Sequence, residues 1–494
     1  MKKITLLGFV LLSIFSFSQT HTWTGNGGDN YWNNPDNWDV FSVPDGTSDV
    51  LISGNGIIVD VSANNEGGTI VIQQGARLIV NGTLTSQQTL TLNNAEIEVI
   101  GTLQNNGGII VIEPGATLIV EGSITNGVPN EIEIADGGEL IFLDGILQGG
   151  IIENDGTILI ESSEMKEMHD VILNNRSEIL ILDSGTISLY GITTINNAHG
   201  AEININSPGG LIEDSGVATV NNDGLIRRIS NGGPGAFYMI FDMNNSGIIL
   251  LDEEQIFLFL VGSQNFTNNE DGFLIGNASY DITANFVNNG YVYPGGFHSV
   301  GALEFVNNFH FPPNAILEVD VMSPSEHDMV HVFGSPTIEG NIRLYLMDEL
   351  ALDDEITVIT SSNNLNCNLP TEILASTTNF SYIFDVICDS NSVTLKVSEI
   401  MELLGTDEFT KTPHFFVNPN PASEIISFNY ASEILQQYEN LQIEIYSILG
   451  QKIEAKKVAS EVTQVETSQL TSGIYIAKLV SEKGVLGATN FIVE

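Results

Sequence analysis

Gly75-Ala76-Arg77-Leu78-Ile79-Val80-Asn81-Gly82-Thr83-Leu84 returns forty residues later as Gly115-Ala116-Thr117-Leu118-Ile119-Val120-Glu121-Gly122-Ser123-Ile124. Between them lies Asn94-Ala95-Glu96-Ile97-Glu98-Val99-Ile100-Gly101-Thr102-Leu103, so the repeating unit is about twenty residues. Gly137-Gly138-Glu139-Leu140-Ile141-Phe142-Leu143-Asp144-Gly145-Ile146-Leu147 supplies the next copy. Each unit holds two or three short strands of alternating Ile, Val and Leu, divided by Gly or Asn. One apolar face per strand gives a turn something to bury, but no single turn can close a core. Stacking the copies about 4.8 Å apart pairs every strand with its equivalents on both sides. The expected fold is all-β, a right-handed parallel β-helix of about a dozen turns and roughly 60 Å.

Further along, asparagine pairs take over as corner markers. They are Asn174-Asn175, Asn196-Asn197, Asn221-Asn222, Asn244-Asn245, Asn268-Asn269, Asn288-Asn289 and Asn307-Asn308. Asparagine tolerates left-handed backbone at turns, and stacked amides can hydrogen-bond along a solenoid. A row of them can also serve as a sugar-binding surface. The periodic coil is assigned to residues 67–310.

Open solenoid ends expose strand edges, so caps are expected. Residues 19–66 contain all three tryptophans, Trp23, Trp32 and Trp38, set among Asn and Gly. They fit a plug over the first turn, and equally a ligand-binding platform on which sugar rings stack. This segment resembles the start of surface β-helix proteins of the autotransporter-passenger kind. Past Pro312-Pro313 the strands lengthen, and Asp328 to Leu344 resembles the closing repeats of such passengers. Residues 311–398 are therefore read as a β-rich cap or small sandwich, followed by a linker at 399–413. Cys367 and Cys388 are the only cysteines. An even count in an exported chain makes them a disulfide candidate, with two free thiols as the alternative.

The two ends of the chain concern its destination. Met1-Lys2-Lys3, an apolar run from Ile4 to Phe17, and Ser16-Phe17-Ser18 form a signal peptide over residues 1–18. No later run is long and apolar enough to span a bilayer; Gly247 to Gly262 is interrupted by Asp252, Glu253 and Glu254. Residues 414–494 begin Phe415-Phe416-Val417-Asn418-Pro419-Asn420-Pro421 and pass through Tyr446-Ser447-Ile448-Leu449-Gly450. They close on Gly473-Ile474-Tyr475 and Phe491-Ile492-Val493. The alternation and turn residues describe a small antiparallel Ig-like sandwich. These motifs, in this order, resemble the type A C-terminal sorting domain of the type IX secretion system of Bacteroidetes. The resemblance makes Pro419, Asn420, Pro421, Gly450, Gly473 and Tyr475 the sorting motif and the type IX machinery a partner. It implies release from the cell or display on its outer surface.

Against 62 acidic residues stand 15 basic ones, a net charge of −47. From residue 19 to Lys396 the only cations are Arg77, Lys166, Arg176, Arg227, Arg228 and Arg343. Such a body cannot neutralise a phosphate backbone, which excludes nucleic acid as a partner. No cofactor fingerprint is present; calcium is the one ion the acid content raises, but no Asp ladder of calcium-loop spacing occurs. His327 and His331 have the i, i+4 spacing of zinc ligands on a helix but lie in a strand pattern. Glu161, Asp183 and Glu202 recur at about one-turn intervals, as a glycosidase pair on adjacent turns would require. A lyase would need a cation beside them, for which Arg176, Arg227 and Arg228 are the candidates. No catalytic constellation emerges, so an adhesin-like or matrix protein meeting extracellular polysaccharide or a cell surface is the leading reading. A pectin-lyase-like enzyme and a carbohydrate-binding protein are the alternatives.

Overall fold

The computed structural model describes residues 20–182, 186–206, 208–228, 237–251, 257–260, 264–282, 285–307, 309–403, 415–430, 434–435, 438, 440–447, 451–482 and 484–493, with the side chains of 257–260 and 307 excepted. The chain forms two compact units. The first runs to Ile400, apart from Thr378–Ser381; the second is Met401–Glu494 together with that short stretch. The predicted signal peptide at 1–18 and most of the predicted linker at 399–413 lie outside the described residues.

The first unit is a parallel β-solenoid with three strands per turn. One turn reads Ile70–Gln73, Arg77–Val80 and Thr83–Ser86. The next reads Leu90–Asn93, Glu96–Val99 and Thr102–Asn105, paired in parallel with the first strand by strand. The middle strands build a 15-stranded sheet in which, among the described residues, only Glu326–His327 pairs antiparallel. The fourteen remaining rungs span roughly 60 Å at the usual strand spacing. Inside this face runs a column of Leu78, Ile97, Leu118, Leu140, Ile158, Ile179, Ile203, Ile226 and Ile249, each at most 3% exposed. Burial of each such side chain contributes roughly 1.5–3 kcal/mol.

The glycine in each early repeat has a steric cause. At the corner before the third strand, Gly82, Gly101, Gly122 and Gly145 stack directly. A Cβ on Gly101 would lie 2.1 Å from the Gly82 carbonyl oxygen, and one on Gly122 would lie 2.1 Å from that of Gly101. Only glycine permits this approach.

Farther along, the corner after the first strand is held by buried amides. Asn154 donates to Asn175 at 2.7 Å, and the row continues through Asn197, Asn222, Asn245, Asn268 and Asn288 at 2.7–2.8 Å per step. Most Nδ2 atoms also donate to a backbone carbonyl of the next turn, as Asn197 does to Leu225 and Asn222 to Ile248. Asn154 Oδ1 and Asn288 Nδ2, the two ends of the row, are its buried atoms without a partner. The neighbouring residues point outward and form a second row in which Asn244 donates to Asn221, Asn221 to Asn196 and Asn196 to Asn174. Each predicted pair from Asn174-Asn175 to Asn244-Asn245 thus places one amide inside and one outside. Asn154, whose neighbour is Glu153, extends the inner row one turn earlier than the pairs indicated.

The coil does not stop at residue 310. Ile316–Ser323 pairs in parallel with Asn341–Leu346, Met329–Val332 with Glu355–Ser361, and Thr337–Ile338 with Asn366–Cys367. The strands lengthen but the inward alternation persists, with Leu317, Val319 and Val321 all buried. The stack closes when Ser392–Glu402 pairs antiparallel with Glu355–Ser361. Cys367, on the last rung, is bonded to Cys388 across a separation of 21 residues. At the other end Trp23, Trp32 and Trp38 pack edge to face at 5.0–5.1 Å, with Trp38 Nε1 donating to the Trp32 carbonyl at 2.8 Å.

Two outcomes follow from these contacts. Asn222→Ala, which breaks the inner row, is expected to cost about 2–3 kcal/mol, and Asn221→Ala on the outer row less than about 1 kcal/mol, measured by denaturant unfolding. Equal costs would contradict the inner row as the register lock. Closing a loop of this length contributes roughly 3 kcal/mol. Cys367→Ser should therefore lower stability by about that much, with faster amide exchange first in 355–361 and 392–397.

Candidate functional site

The outward faces of the solenoid carry its chemistry. Arg77 bridges Glu96 and Glu98 at 2.6 Å each, and Asn204 donates to both Glu178 and Glu202 at 3.0 Å. Glu178 and Glu202 are in register on consecutive turns, so this amide offsets a repulsion between like charges. The surface is thus organised as rows along the axis rather than as one converging centre.

The residues considered for catalysis are dispersed. Arg176 is committed to Asp155 at 2.7 and 3.0 Å and to Glu153 at 2.5 Å, and that guanidinium holds the Asp155 carboxyl below its usual range. Arg228 occupies the inward column between Ile205 and Leu251, is 2% exposed, and lies 5.9 Å from the Phe237 ring centre. Burial lowers its pKa from the ordinary value. Arg227 takes the outward position beside it. Glu161 follows the strand Thr157–Ile160 whereas Glu202 opens Glu202–Ile205, which places them at opposite ends of one face. Asp183 lies outside the described residues. His327 meets the Thr357 carbonyl at 3.0 Å, while His331 meets Thr360 Oγ1 at 2.8 Å and Ser362 Oγ at 3.1 Å. Among the described residues no three His, Cys, Asp or Glu side chains group as metal ligands.

The tryptophans are 7% (Trp23), 0% (Trp32) and 0% (Trp38) exposed. Their rings cover one another and the first turn, so little indole surface is presented outward. Asn37 braces the segment, donating to Asp29 at 2.8 Å and accepting from the Gly27 amide at 2.9 Å.

The second unit contains two antiparallel sheets. Phe415–Asn418, Ile425–Tyr430 and Val462–Glu466 form one; Lys452–Lys457, Gln442–Ser447, Gly473–Ser481 and Gly484–Val493 form the other. Phe415, Ile426, Phe428, Ile443, Ile445, Leu479 and Phe491 fill the core. Asn420, between Pro419 and Pro421, accepts the Ile492 amide at 2.7 Å, and the Ala422 amide donates to the Ile492 carbonyl at 2.8 Å. Tyr475 stacks on Phe491 at 5.6 Å and donates to the Thr471 carbonyl at 2.7 Å. Gly473 opens the strand that carries Tyr475, and Gly450 lies outside the described residues. The Pro-Asn-Pro arch and the Gly-Ile-Tyr strand therefore both fasten onto the final strand.

Residues 417–494 match the secretion system C-terminal sorting domain.

No curated protein matches the chain. The sorting domain marks the chain for export by the type IX secretion machinery, to the cell surface or the medium. Among the described residues no helix is long and apolar enough to cross a membrane. Of the described motif residues only Tyr475 is buried; Pro419, Asn420, Pro421 and Gly473 are exposed, as are the apolar Phe416, Ile474 and Ile492 at 64%, 53% and 43%.

Near the C-terminal end of the solenoid, three carboxyl groups are buried together. Asp328 accepts the Gly301 and Asp320 amides, both at 2.8 Å; Tyr293 donates to Asp320 at 3.0 Å; Arg343 reaches Glu318 at 3.3 Å. Burial pushes Asp328 up to about 8 and raises Asp320 and Glu318 as well. Raised folded-state values mean that the folded unit binds more protons than the unfolded chain between about pH 4 and 8. Stability from these groups is then complete below the unfolded pKa and is lost as pH rises through the folded one. The melting temperature should fall from pH 5 to pH 8, and Asp328→Asn should flatten the slope. A melting temperature that rises over this interval would contradict the assignment.

Proposed function

We propose that this chain is an adhesin-like or matrix β-solenoid, carried through the inner membrane by its signal peptide and across the outer membrane by its sorting domain. On the outside it contacts extracellular polysaccharide or a cell surface. The observation that carries this reading is the repetition of the outward faces, seen best in the row Asn174, Asn196, Asn221 and Asn244. Identical groups recurring once per turn along a rigid axis offer many weak contacts in fixed register, and avidity then replaces one deep pocket. Arg228 inside the core and Arg176 locked to two carboxylates weigh against a lyase, which needs an exposed cation to steady a uronate. The buried indoles shift the expected contact surface from the tryptophan segment to the solenoid faces.

The test is to incubate the purified full chain with a polysaccharide panel, following retention together with new reducing or unsaturated ends. Retention without cleavage is the expected result, and cleavage would overturn it. In the producing cell, deletion of residues 414–494 should leave the protein periplasmic, read by fractionation. Normal surface or medium levels of the truncated chain would refute the export route.

A further inference from the structure

One corner of the solenoid departs from the regular repeat. Thr186–Asn197 and Gly209–Asn222 run unbroken from the third face of one turn into the first face of the next, paired residue by residue around the bend. Below them, residues 170–171 face the three residues 191–193, since His169 pairs with Tyr190 and Ile172 with Thr194. Above them, the six residues 213–218 face Phe241 alone, since Ile212 pairs with Ile240 and Thr219 with Asp242. The corner therefore grows over successive turns and then collapses, leaving a ledge that overhangs the turn after it.

The ledge is braced from within. Glu213 accepts the Ala218 amide at 2.9 Å, Thr193 Oγ1 donates to the Tyr190 carbonyl at 2.8 Å, and Asp170 accepts the Ile192 amide at 2.9 Å. Gly191 and Gly216 have positive φ of 64° and 111°, and a Cβ on Gly216 would lie 2.1 Å from the Gly191 carbonyl oxygen. A register shift between Leu189 and Tyr190 leaves Asp214 as the bulged residue, which aims its carboxylate at the Tyr190 hydroxyl, 2.8 Å away. Bulges commonly redirect one side chain in this way. One face of the Tyr190 ring rests on His169 at 4.4 Å, and His169 in turn meets Glu167 at 2.6 Å. In register on the other side of Tyr190 is Ser215, too short to cover the ring. Along the crest, Ile192 and Val217 are in register and 73% and 53% exposed.

We infer that this ledge is a glycan-binding subsite selecting neutral or amino sugars. The inference rests on the adhesion reading above and names the ligand class and the place. A pyranose has an apolar C–H face, which stacks on an aromatic ring, and a rim of hydroxyl donors, which carboxylates accept. Tyr190 supplies the ring; Asp214 and Glu167 supply the acceptors; Ile192 and Val217 give apolar contact to the next residue of the chain. An ammonium on the sugar gains from the same carboxylates, whereas a uronate, sulfate or phosphate is repelled. Lys166 on the adjoining strand is buried, with its ammonium on the Ser162 and Glu164 carbonyls at 2.8 and 3.0 Å, so it does not reverse this sign.

The experiment is affinity electrophoresis of the full chain in gels holding soluble β-glucan, mannan, chitosan oligosaccharides or polygalacturonate. Wild type is expected to be retarded by a neutral or amino polymer and not by polygalacturonate. Tyr190→Ala should weaken retardation at least tenfold, Tyr190→Phe less because the ring remains, and Leu374→Ala, at an exposed side chain on the strand Glu372–Ser376, by less than twofold. Thermal unfolding of each variant checks that the fold persists. If Tyr190→Ala and Tyr190→Phe both bind like wild type, the ledge is overturned while adhesion stands. Retention by polygalacturonate alone also overturns the ledge. If wild type is retained by no polymer, the adhesion reading fails and the ledge with it.

Discussion

Register between successive turns is the constraint on which the rest of this solenoid depends. A strand that slips by one residue turns its apolar side chains to water and its carboxylates to the interior. Apolar packing alone resists this only through shape, because one Ile column resembles its neighbour. The buried asparagine row adds a directional requirement: each amide must meet the oxygen of the next turn and, in most cases, a backbone carbonyl as well. A shifted turn would strand several buried polar groups at once, each costing about 1–3 kcal/mol. The early turns rely instead on the glycine stack, where the carbonyl of one turn occupies the space a side chain would need on the next.

With register fixed, the surface becomes predictable. Outward positions line up into rows, and the strong negative charge is distributed along them. Arg77 and Arg176 each neutralise two carboxylates of one adjoining turn, and Asn204 bridges two that face each other on consecutive turns. Arg77, Arg176 and Arg343 therefore serve local charge balance, whereas Lys166 and Arg228 are buried. The outward carboxylate rows repel approaching anions.

Much of this was legible in the residues because the coil is periodic. The twenty-residue repeat announced the turns, the Gly of each repeat announced the tight corner, and the paired asparagines announced the later one. The tail was equally plain, since its motifs are the residues that tie its strands together. Four things escaped. Asn154 was invisible because Glu153 breaks the doublet that flagged its successors. The coil beyond residue 310 was hidden by longer strands and loops, although Leu317, Val319 and Val321 keep the inward alternation. Arg228 read as a candidate lyase cation, whereas its place in the register puts it between Ile205 and Leu251. The ledge gave no signal at all, since it arises from unequal corner lengths on four successive turns that only pairing reveals.

Those unequal corners bear on how such a chain can change. The turn after the ledge resumes normal pairing at Asp242, as though the extra residues before it were absent. Residue count per turn is thus free while strand alignment is not. A duplication or insertion that falls at a bend is absorbed where it occurs and leaves the stack on either side intact. Novelty can accumulate at the bends without renegotiating the core, and a lineage of such solenoids can diversify its surface while inheriting the same scaffold.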